Sequence, residues 1–86
     1  MKIHDLVVSV LEEDLGFVIM DDYNNDFSIL DYINESLLFV QFILAIENRL
    51  DIELSDDFLD YDLYYSMSGF VEKLESYIEE NRHESI

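Results

Sequence analysis

Cysteine and proline are absent from this 86-residue chain, glycine occurs twice, and lysine and arginine together number four. Without cysteine there can be no disulfide and no thiolate zinc site, a composition suited to a reducing, cytoplasmic setting. Gly16 and Gly69 stand alone, so no glycine-rich phosphate loop can be assembled. Four cations make no basic patch for nucleic acid. The longest dense apolar run, Leu37 to Ile46, contains Gln41 and falls short of the roughly 18 to 20 residues that span a bilayer. Met1 to Asp5 open directly into an amphipathic pattern, with no signal peptide and no Arg-rich transit sequence, so membrane insertion is not expected. No low-complexity segment and no internal repeat interrupts the chain.

What is present is acid and hydrophobic residue together. Net charge is −17, while half of the residues are hydrophobic. That apolar share is too high for a disordered acidic tail. The length allows one domain, residues 1–86, with one modest core. A field of this sign repels nucleic acid and anionic membrane and attracts proteins that carry basic patches.

Helical periodicity dominates. Ile3, Leu6, Val7, Val10 and Leu11 recur at the spacing of one helix face, which predicts a first helix over about 3–15, stopped by Gly16. Residues 17–34 are irregular. Asp21 to Asp26 have turn chemistry, and Phe17, Val18, Ile19, Phe27, Ile29 and Leu30 predict a long loop packed onto the core. A second helix is predicted over 36–50, a short third over 57–64, and a fourth over 68–81. Phe70, Val71, Leu74, Tyr77 and Ile78 form the stripe of the fourth, and Ser66 or Ser68 is its candidate cap. Arg82 to Ile86 are expected to fray. The fold class is all-α: a small bundle of three main helices plus a short third helix, with a long loop between helices one and two.

The second helix carries more apolar surface than one core face needs. At roughly 100° per residue, Phe39, Phe42, Ile43, Ile46 and Leu50 share one arc. Gln41, Glu47 and Asn48 face water, and Leu37, Val40 and Leu44 fall among them, on the side of Ser36. Two readings of this strip stand open: burial under the long first loop, or an exposed docking strip for a partner. Ser36 likewise has two readings. A serine at a helix start is most often an N-cap. No base supports a nucleophile, since His4 and His83 lie near the termini, and an enzyme is not expected because no acid, base or metal constellation converges.

Two acidic stretches invite a metal reading and do not sustain it. Asp22 to Asp26 begin like a calcium loop, but Phe27 stands where the turn needs glycine and Ile33 where a bidentate glutamate is needed. Asp56, Asp57, Asp60 and Asp62 read as a solvated acidic face.

Glu35-Ser36-Leu37, followed by Val40, Ala45-Ile46-Glu47 and Leu50-Asp51-Ile52-Glu53-Leu54, resembles the acyl carrier protein family. In that family an Asp-Ser-Leu motif opens the second helix and its serine carries 4′-phosphopantetheine. The stretch AIENRLDI, Ala45 to Ile52, and its ungapped continuation from Asp60 through Tyr64 to Phe70 and Val71 are most similar to D-alanyl carrier proteins. The resemblance covers about 30–74. It implies that Ser36 receives the phosphopantetheine arm from coenzyme A, with Glu35 and Leu37 framing the attachment. It implies that Leu37, Val40, Gln41, Leu44, Glu47 and Asn48 form the docking face. The implied partners are a phosphopantetheinyl transferase, an acyl- or aminoacyl-loading ligase and a downstream transferase or synthase, met by a cytoplasmic monomer.

The departures from the family pattern imply a specialised carrier. Glu35 replaces the usual aspartate, which implies slower modification or a dedicated transferase. Ile33 replaces a frequent glycine, and Ser55 a common proline. Gln41 and Asn48 replace frequent acids. Leu38 and Phe39 replace residues that are often polar, and the Phe39 ring under the serine is expected to fill space that could shelter a long acyl chain, leaving short or amino-acid cargo. The alternative from charge alone is an acidic, non-enzymatic interaction protein that presents nucleic-acid-like charge to a basic partner.

Overall fold

The structure is a computed structural model that describes residues 2–19 and 26–84, with side chains to residue 80. Three α-helices enclose one core: α1 (Ile3–Ser9), α2 (Ser36–Leu50) and α3 (Met67–Glu84). No strand occurs among the described residues. None of the described helices is long and apolar enough to cross a membrane.

The first helix divides in two. After Ser9 the chain widens into a π turn, Val10–Asp14, where Leu15 N–H donates to Val10 C=O at 3.1 Å. Phe17 N–H then returns to Leu11 C=O at 2.9 Å. Gly16 sits between them at φ +80°, a conformation that costs a residue with a Cβ but not glycine. The predicted stop is therefore observed. Leu6, Val7, Val10 and Leu11 are buried as their spacing requires, and Val8 is buried too.

The loop before α2 is described at 17–19 and from Asp26 onward, while residues 20–25, with most of the expected turn over Asp21 to Asp26, lie outside the described residues. Phe27, Ile29 and Ile33 are buried, and a single 3₁₀ turn, Ile29–Asp31, shapes it. Backbone and side chain both tie it to the start of α3. Met67 N–H donates to Phe27 C=O at 2.7 Å. Ser28 Oγ donates to Tyr64 C=O at 3.3 Å and accepts from Leu30 N–H at 3.2 Å.

Between α2 and α3 the expected short helix over 57–64 does not form. Two 3₁₀ turns replace it, Asp56–Leu59 and Tyr61–Tyr65, separated by extended Asp60. Asp60 explains the break, since its carboxylate accepts Asp62 N–H at 3.0 Å and caps a new turn rather than continuing the old one. The 3₁₀ form directs Phe58 and Tyr64 into the interior, both fully buried. α3 starts at Met67, and its backbone is helical through Glu84. The fraying expected from Arg82 is thus not seen at residues 82–84, and residues 85 and 86 lie outside the described part.

The core is aromatic between α2 and α3. Phe39 packs on Tyr64 at 4.6 Å between ring centroids, Tyr64 on Phe70 at 4.9 Å, and Phe42 on Phe70 at 5.5 Å. Phe58 continues the chain to Phe70 at 6.0 Å and to Tyr77 at 5.2 Å. Tyr64 brings a hydroxyl into this interior and satisfies it by donating to Phe58 C=O at 2.8 Å. Burial pushes its phenol far above the usual range.

Candidate functional site

The first turn of α2 is open to solvent. Glu35 is the N-cap residue, extended at φ −131° and ψ 149°, and its carboxylate makes no capping hydrogen bond. Ser36 is the first helical residue, so the N-cap role expected of it belongs by position to Glu35. The reason is geometric: a capping oxygen must precede the helix, and Ser36 already lies inside it. Phe39 N–H to Glu35 C=O, at 3.0 Å, is the first bond of the α2 ladder. The N–H groups of Ser36, Leu37 and Leu38 precede it and receive no side-chain cap, so the positive end of the helix is left open. Ser36 is exposed, and its hydroxyl has no hydrogen-bond partner among the described residues.

Leu37 is 66% exposed, Val40 50% and Leu44 52%. None of the three is buried by the described residues of the first loop. Phe39, Phe42, Ile43 and Ile46 are buried on the opposite face, and Leu50 is half-buried beside them. The helix thus carries two apolar faces, and only one is used by the fold. Gln41 and Asn48 are exposed alongside the strip. They also line a shallow hollow with Asp14, Leu15, Leu44 and Ala45, where the end of the first helix meets α2.

Glu47, expected on the docking face, also has a structural part. It is half-buried, and its carboxylate accepts Leu54 N–H at 2.7 Å, anchoring the chain that leaves α2. That chain turns at Asp51, left-handed at φ 54°, a conformation that aspartate tolerates better than most residues. Arg49 is also committed. Its guanidinium donates twice to Asp14, at 2.9 and 3.2 Å, and lies 3.9 Å from Glu13. The paired guanidinium holds the Asp14 carboxyl below the usual carboxylate range.

Phe39 links the serine end of α2 to the 3₁₀ pair. It is buried one turn below Ser36 and packs on Tyr61 at 4.9 Å as well as on Tyr64. Tyr61 is itself 50% exposed, so its ring carries apolar surface from the core to the outside beside that turn. Leu59 and Tyr65 are exposed on the same segment. Helical periodicity does not mark these three as exposed. The signal available was the alternation of aspartate with large apolar residues in DDFLDYDLYY, Asp56 to Tyr65, which a pure core segment would not show.

No group of three or more histidine, aspartate or glutamate side chains able to hold a metal occurs among the described residues. His4 is half-buried on α1 with Nδ1 3.9 Å from Asp5, and the His83 side chain lies outside the described part. Comparison with protein-family models, curated proteins and solved structures finds no match to this chain.

Proposed function

We propose that the chain is a carrier that holds an acyl or aminoacyl group as a thioester on a 4′-phosphopantetheine arm attached to Ser36. The observation that carries this reading is the pairing of an exposed, unbonded Ser36 hydroxyl with an exposed Leu37, Val40 and Leu44 strip on the same helix. The residues present fit the group. Ser36 Oγ is accessible to a transferase active site, and the uncapped N–H groups of the first turn favour the phosphodiester that its modification would create. When attached, the arm supplies a thiol at which cargo is held as a thioester.

Each part of the chain then has a task. Ser36 Oγ would be the nucleophile that takes the arm from coenzyme A, its new O–P bond replacing the pyrophosphate P–O bond as the nucleotide leaves. Its proton passes to a base of the phosphopantetheinyl transferase. Leu37, Val40 and Leu44, with Gln41 and Asn48 beside them, dock that transferase, a loading ligase and a downstream transferase or synthase in turn. Docking raises the effective concentration of tethered cargo at each partner without any chemistry by the carrier itself. The ring of Phe39, wedged between Tyr61 and Tyr64, supports short or amino-acid cargo carried outside the bundle.

Intact mass before and after incubation with coenzyme A, magnesium and a promiscuous transferase tests the reading. One phosphopantetheine is expected on the wild type and none on Ser36→Ala. A folded wild type left unmodified by transferases of differing specificity would overturn it. The charge of −17 favours a second reading, an acidic interaction protein that binds a basic partner. Under that reading Ser36→Ala retains all binding and activity.

A further inference from the structure

The two 3₁₀ turns present a second apolar face, separate from the α2 strip. Leu59, Tyr61 and Tyr65 are 52%, 50% and 65% exposed. In a 3₁₀ turn, residues three apart lie over one another. By that spacing Asp62 and Tyr65 fall on one side of Tyr61–Tyr65, and Asp56 and Leu59 on one side of Asp56–Leu59. All four are exposed. Each turn thus sets an exposed aspartate and an exposed large apolar residue on one side.

It is also held in place. Buried Phe58 and Tyr64 fix the segment from inside, the Tyr64 hydroxyl bonds Phe58 C=O, and the Asp60 carboxylate caps the second turn. The segment already receives one cation of its own chain. Lys73 Nζ lies 5.4 Å from the centre of the Phe58 ring and 3.3 Å from Asp57 C=O. That contact combines a ring face with an oxygen acceptor, and it uses the side of the segment that faces α3. The outer side, with Tyr65 and Asp62, offers the same two elements to solvent.

We propose that this outer face docks a protein partner through arginine side chains, a guanidinium lying on the Tyr65 ring with its fork towards the Asp62 carboxylate. Charge complementarity selects a cationic partner, since the chain carries −17 and its field repels nucleic acid and anionic lipid. The pairing of ring and carboxylate selects arginine over lysine. A guanidinium is planar, stacks on an aromatic face and donates two parallel bonds to a carboxylate, whereas an ammonium is a strongly hydrated point charge. Tyr61, packed on Phe39 beneath the first turn of α2, ties the segment to the core there. The docking stands whether or not Ser36 is ever modified.

The test uses the full chain and two peptides of equal length and charge, one alternating arginine with glycine and the other lysine with glycine. Affinities are measured by calorimetric titration at about 0.15 M salt, where long-range attraction is largely screened. The arginine peptide is expected to bind roughly twofold to fivefold more tightly than the lysine peptide, the range of an exposed cation–π contact. That preference should vanish in Tyr65→Ala, weaken in Asp62→Asn and persist in Tyr65→Phe, with helical circular dichroism unchanged in all three. Equal affinity for the two peptides would overturn the proposal. So would a preference that survives Tyr65→Ala, because the attraction would then belong to the net charge and not to this face.

Discussion

Asp26 accepts hydrogen bonds from Ser66 Oγ at 2.5 Å and from Ser68 N–H at 2.9 Å, residues 40 and 42 positions further along the chain. Ser66 Oγ in turn accepts Gly69 N–H at 3.1 Å. The start of α3 is therefore capped twice, once by its own serine and once by the loop. The bond from Ser66 leads, followed by that from Ser68, in holding the Asp26 carboxyl below the usual carboxylate range. A carboxyl depressed in the folded state contributes stability that is complete above its unfolded value and is lost as pH falls through the folded one. Asp26→Ala is expected to lower stability by about 1 kcal/mol, the usual cost of a lost cap, in urea denaturation at neutral pH. The difference between variant and wild type should shrink once pH falls below the usual carboxylate range.

Among the elements, α2 sets what the surface can do. Its buried face is fixed by Phe39, Phe42, Ile43 and Ile46, and its exposed face by Leu37, Val40 and Leu44. The two faces predict opposite mutational outcomes. Phe42→Ala opens a cavity among Tyr64 and Phe70 and is expected to cost about 3–5 kcal/mol. Leu44→Gln should change stability by less than about 0.5 kcal/mol. Under the carrier reading it should also lower kcat/KM for modification by a phosphopantetheinyl transferase, by roughly threefold to tenfold, as loss of a docking side chain does. Denaturation curves and modification kinetics on the same pair separate the two. The helix bounds of α2 and the two-faced pattern were legible in its sequence because a period near 3.6 leaves few ways to place ten apolar residues. The 3₁₀ pair was not legible as such, because its apolar residues at 58, 59, 61, 63, 64 and 65 fit a short α-helix as well. What decides between them is the side-chain bond of Asp60, a local competitor of the helix ladder.

At the scale of the molecule, repulsion among 21 acidic residues opposes compaction, and four lysines and arginines offset little of it. Arg49 is spent on Asp14 and Glu13 at the surface, where solvent screening leaves an ion pair little to contribute. Screening should therefore relieve more repulsion than it removes attraction. The melting temperature is expected to rise as salt increases from about 0.01 to 0.15 M, read by circular dichroism at constant pH. A fall would mean that the paired cations dominate.

Composition and periodicity by themselves determined that the chain is all-helical, that Gly16 ends the first helix, that α2 spans Ser36 to Leu50 and that its surplus leucines and valine stand apart from the core arc. These follow from local sterics and from the burial of one helical face, which need only near neighbours in sequence. Tertiary structure alone decided that Leu37, Val40 and Leu44 stay exposed, and that the described end of the first loop is drawn to the start of α3 by Asp26, Phe27 and Ser28. It alone decided that Glu47 anchors Leu54, that Arg49 reaches back to Asp14 across a π turn, and that Tyr61 and Tyr65 face solvent while Tyr64 does not. Each of these depends on which distant partner satisfies a polar group or fills a gap, and no spacing along the chain encodes that choice.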